Sequence, residues 1–73
     1  MNEETVNLIN DTIKLLNDYV TTNNPSRADL INVGNETVVR VQDLARPLIN
    51  GQRFAVFSRE LDRRYEEYLL SLN

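Results

Sequence analysis

Seventy-three residues suffice for one domain with a small core, marginal in stability unless the chain binds something or self-associates. Neither cysteine nor histidine occurs, which excludes disulfides, a Cys/His zinc site, a thiol nucleophile and a Ser-His-Asp triad. The net charge is −3, no apolar run approaches bilayer-spanning length, and Met1-Asn2-Glu3-Glu4 is acidic where a secretory leader is basic, so the expectation is a soluble cytoplasmic protein with no membrane partner.

Residues 1–22 read as an amphipathic helix. Val6, Ile9, Ile13, Leu16 and Val20 recur at spacings of three and four, and Leu8, Leu15 and Tyr19 widen the stripe. Such a stripe serves packing inside its own domain or pairing with another chain as a partner interface. The helix is expected to stop at Thr21-Thr22-Asn23-Asn24-Pro25, since proline disfavours helical geometry in the residue before it.

Residues 26–46 are expected to be helix-turn-helix-like. Ser26 can cap a helix and Asp29 can complete a capping box. Gly34 can then end a short helix, with Asn35 or Glu36 opening a second through Val38, Val41, Leu44 and Ala45. Two alternatives stay open: one helix running through Gly34 at a cost of about 1 kcal/mol, and a strand over the β-branched run Thr37 to Gln42. Pro47 ends the element in each version.

Residues 47–57 carry Asn50-Gly51 between two apolar runs, the strongest short-range hairpin signal because a type I′ turn needs positive φ at both central positions. A period of two then sets Phe54 and Val56 on one face, with Arg53, Ala55 and Phe57 on the other. Residues 58–72 read as a closing helix with Leu61, Tyr65, Tyr68 or Leu69, and Leu72 inward. The expected fold is a single domain, mainly α with a small β-hairpin, winged helix-turn-helix-like behind an amphipathic N-terminal helix; the alternative is a three-helix bundle.

All seven arginines follow Pro25, whereas residues 1–24 hold four acids and one lysine. The run Asn50-Gly51-Gln52-Arg53-Phe54-Ala55-Val56-Phe57-Ser58-Arg59-Glu60-Leu61-Asp62-Arg63 resembles the wing and closing helix of the small winged-helix excisionases of phages and conjugative transposons. Asp29-Leu30-Ile31-Asn32-Val33-Gly34, Arg40 and Leu44-Ala45-Arg46 resemble that family's helix-turn-helix, so the resemblance covers about residues 26–70. It implies a regulatory protein of a mobile element that bends DNA beside an integrase or acts as repressor or antirepressor.

In such a fold Asn35, Thr37, Arg40 and Gln42 would face base edges in the major groove, while Arg53 at the wing tip and Arg27 at a helix start would contact phosphate. Glu36 and Asp43 depart from that pattern, since phosphate repels carboxylates. The rival class is a small acidic helical phage or bacterial protein acting by protein-protein interaction, inhibiting or adapting a larger partner or pairing as a homodimer. The stripe Val6, Ile9, Ile13, Leu16, Val20 and the pair Tyr65 and Tyr68 suit it. The tyrosines suit closure of a small core better than an interface. An enzyme is not expected: Asp62, Glu66 and Glu67 form too poor a ligand set for a metal, Gly34 and Gly51 are the only glycines, and no cofactor or small-molecule substrate is implied.

Overall fold

A computed structural model describes residues 1–72, in which three helices, α1 (Glu3–Asn23), α2 (Arg27–Ala45) and α3 (Gly51–Ser71), pack pairwise into a bundle 36 Å long. The short connections 24–26 and 46–50 make α2 antiparallel to both neighbours. Among the described residues there is no strand, so the winged helix-turn-helix expectation is corrected to the three-helix bundle.

Local chemistry explains the boundaries. Asn2 caps α1, its side chain accepting the Thr5 amide at 3.0 Å, and Glu3 and Glu4 complement the positive end of the helix dipole. Asn24 closes α1 in the left-handed region at φ 45°, and its amide donates to the Val20 carbonyl at 2.9 Å. Ser26 then caps α2 by accepting the Asp29 amide at 3.2 Å.

Two expectations fail for the same reason. Residues 26–46 form one helix instead of two short ones, and the β-branched run at Thr37 to Gln42 is helical, because Leu30, Gly34, Val38 and Ala45 all face the core at helical spacing. Residues 47–57 form no hairpin: a tight turn over residues 46–49 is followed by α3, which starts at Gly51 with φ +44°. The period of two over Phe54 to Phe57 loses to a period near 3.6 that continues through Phe57, Leu61 and Tyr65, all buried, which leaves Val56 outward.

The core joins Ile9 and Leu16 of α1, Val38 and Ala45 of α2, and Phe57, Leu61 and Tyr65 of α3. Full burial of Phe57, Ile9, Leu16 and Leu61 stabilises the fold by roughly 1.5–3 kcal/mol for each side chain. Thr12 is buried among them, with its hydroxyl donating to the Leu8 carbonyl at 2.7 Å within α1. Cross-helix hydrogen bonds surround this core: Tyr68 Oη donates to Asn17 Oδ1 at 3.1 Å, Arg64 to Asn10 Oδ1 at 3.0 Å, and Tyr65 Oη to the Ile31 carbonyl at 3.3 Å.

Candidate interaction surface

At Gly34 the Tyr65 ring of α3 lies over the space where a Cβ would stand. Val38, Leu61 and Tyr65 share the buried core cluster beside it. At one end of the bundle the first turns of α1, the last turn of α2, the Pro47 turn and the first turns of α3 surround an open groove of about 990 Å³. Its lining is mixed: Met1, Leu8, Val41, Leu44, Leu48 and Val56 alternate with polar groups such as Asn2, Thr5, Asn50 and Gln52.

Leu48 is 83% exposed, Leu44 67%, Met1 57% and Val56 51%. Pro47 explains the first of these, since it ends α2 and throws the next residue outward before the chain turns into α3. Single exposed aliphatics are ordinary on a surface, but four around one concavity form a patch of the kind that marks an interaction site.

Charge divides the groove into two walls. Arg46 and Arg53 stand on the α2 and α3 side, and Glu4 on the α1 side. The Arg46 guanidinium lies 4.8 Å from the centre of the Phe54 ring, a cation-π contact on a half-buried aromatic. Neither Glu4 nor Arg53 forms an ion pair among the described residues, where the only salt bridges link Arg63 to Glu60 and Glu67. Arg53 also sits in the first turn of α3, at the positive end of that helix, where a cation is locally unfavourable.

Of the residues expected to contact DNA, Asn35 and Arg40 line one shallow depression on α2 together with Glu36 and Asp43, whereas Arg27 and Arg53 stand near opposite ends of that helix. Arg27 opens α2 and Arg53 lies just beyond its far end, so about 27 Å of helix separates the two ends. Asn35 and Arg40 are exposed on α2, but Glu36 and Asp43 are exposed beside them. Thr37 is half-buried, its hydroxyl donating to the Val33 carbonyl at 2.7 Å, and Gln42 donates to Asp62 Oδ1 of α3 at 3.1 Å. Arg53 is on a helix, not at a wing tip. Of the apolar stripe expected to form a partner interface, Ile9 and Leu16 are buried, Ile13 and Val20 are half-buried, and Val6 alone is exposed.

Glu60, Asp62 and Glu67 of α3 have structural partners. Arg63 donates from Nε to Glu60 Oε2 at 3.0 Å and from Nη1 to Glu67 at 3.0 Å, and its hydrogen bonds hold the Glu60 carboxyl below its ordinary pKa. Burial pushes the phenols of Tyr65 and Tyr68 upward. No group of three or more acidic residues among those described could hold a metal ion, and no helix there is long and apolar enough to cross a membrane. No protein-family model, curated protein or solved structure matches this chain.

The groove residues Leu44, Leu48 and Val56 escaped the sequence reading. The signal that could have found them is Leu48 after Pro47: a large aliphatic beyond a helix end has no helix face to bury it.

Proposed function

We propose that this chain is a non-enzymatic interaction module that works by docking its end groove onto a protein surface. The observation that carries this reading is the end groove, where the large apolar side chains Leu44, Leu48, Met1 and Val56 are exposed together around one concavity. Apolar side chains kept in water cost solubility without adding to the core, so their grouping in one place favours an interaction role. DNA binding of the excisionase kind has less support, because it relied on a wing, a separate recognition helix and a joint arginine face, whereas Arg27 and Arg53 stand near opposite ends of α2 and no strand occurs among the described residues.

A photo-reactive side chain at position 48, compared with one at Glu66, tests the reading in the cell that makes the protein. The expected result is a protein adduct of defined mass from position 48 only, lost when Leu44→Glu is added. Equal adducts from both positions, none from either, or tight duplex-DNA binding that weakens steeply with salt and disappears in Arg40→Ala would overturn it.

A further inference from the structure

We infer that the end groove binds the same groove of a second copy, forming an end-to-end two-fold dimer in which Glu4 of each chain meets Arg53 of the other. This rests on the groove being a docking surface, as proposed above, and names its occupant.

A two-fold interface must be self-complementary, since whatever one chain offers on one side of the axis it must receive on the other. The groove has this property. Glu4 of α1 and Arg53 of α3 both line it beside Leu44, Leu48 and Val56, and the other lining cation, Arg46, already rests on the Phe54 ring of its own chain. Rotation by half a turn about an axis through the patch sets each acidic wall against a basic wall and stacks Leu44, Leu48 and Val56 on their own counterparts.

Glu4 and Arg53 are available for such exchange because neither has an ion pair in its own chain among the described residues. The pairing also answers a local misfit, since a carboxylate brought to Arg53 offsets the cation placed at the positive end of α3. Asn50 provides no side-chain cap there, in contrast to Asn2 and Ser26 at the other two helix starts.

The contact is confined to one end of a narrow bundle, so it belongs at the small end of specific interfaces, with dissociation constants of roughly 10 µM to 1 mM. An end-to-end dimer is also long, about twice the 36 Å of one chain.

Sedimentation equilibrium and small-angle scattering of the full chain across that concentration range test the inference. Wild type is expected to rise from one to two chains in mass while its maximum dimension about doubles. Arg53→Glu and Glu4→Arg are each expected to weaken self-association by at least about 10-fold, because both copies of the pair become repulsive. Mixed one to one, the two variants should associate as wild type does, since each supplies what the other now lacks. Circular dichroism checks that both variants stay folded. A wild type monomeric throughout, variants that dimerise undiminished, or a mixture that stays monomeric would each overturn it. If the wild type is monomeric while position 48 crosslinks to a different protein, self-pairing is refuted and the docking reading stands; failure of both removes both.

Discussion

Gly34→Ala is expected to destabilise the bundle, although alanine is the better helix former. In an exposed mid-helix position the exchange gains about 1 kcal/mol. Here a Cβ built on Gly34 would stand 2.6 and 2.7 Å from two Tyr65 ring carbons, closer still to the hydroxyl oxygen, and ordinary contact needs roughly an ångström more. The ring cannot simply swing aside, because Tyr65 is buried in the core. Forcing it over costs about 1–3 kcal/mol as overpacking, and losing its hydrogen bond to the Ile31 carbonyl costs about 1 more. The net loss is about 1–3 kcal/mol, a fall in Tm of roughly 5–20 °C for a domain of this size. Thermal and urea unfolding followed by circular dichroism measures it. In a Tyr65→Leu background the same exchange should turn stabilising by up to about 1 kcal/mol. A Gly34→Ala protein more stable than wild type, or a coupling to Tyr65 below about 0.5 kcal/mol, would refute the reasoning.

Ser58 has a buried hydroxyl with no hydrogen-bond partner among the described residues, so Ser58→Ala should stabilise by about 0.5–2 kcal/mol, read as a higher urea midpoint; a lower midpoint would mean the hydroxyl is satisfied. At the left-handed Asn24, Asn24→Gly should change stability by less than about 0.5 kcal/mol and Asn24→Ala should lose about 1, and equal effects would show that α1 does not end in that conformation in solution. Burial raises the Tyr65 and Tyr68 phenols, so the folded state favours their neutral forms. That contribution is complete below the unfolded tyrosine pKa of about 10 and is lost as pH rises through the higher folded values. Tm should therefore decline above about pH 10, and a decline undiminished in Tyr65→Phe/Tyr68→Phe would assign it to other groups.

The helical stretches with a sustained apolar period were legible in the sequence. Ile9, Ile13, Leu16 and Val20 of the first stripe and the spacing of Leu61, Tyr65 and Tyr68 appear as the inward faces of α1 and α3, while Val6 and Leu15 stay exposed, and Ser26 caps α2 as its position suggested. What misled was short-range punctuation. Gly34 read as a stop and Asn50-Gly51 as a hairpin turn, because glycine marks both a chain reversal and a close approach. Only the tertiary partner of Gly34, Tyr65 at thirty-one positions' remove, distinguishes the two. Asn50-Gly51 lies after a turn that Pro47 had already completed, so its positive φ starts a helix instead of joining two strands. The site was harder still. An exposed aliphatic patch depends on which side chains the core leaves over, and Leu44 and Val56 were legible as apolar but not as outward.

The pairing of α1 with α3 sets the kinetic character of the chain. Its hydrogen bonds join residues 54 and 51 positions apart, Arg64 to Asn10 and Tyr68 to Asn17, while each antiparallel pair closes across a short turn. Closure entropy grows only as the logarithm of loop length, so even this longest link adds little to the barrier beyond either hairpin. Helical bundles with such local connectivity fold in microseconds to milliseconds. An opened chain therefore recloses before a protease of ordinary speed can cut it, and its survival in a cell follows how much of it is open at equilibrium rather than how often it opens.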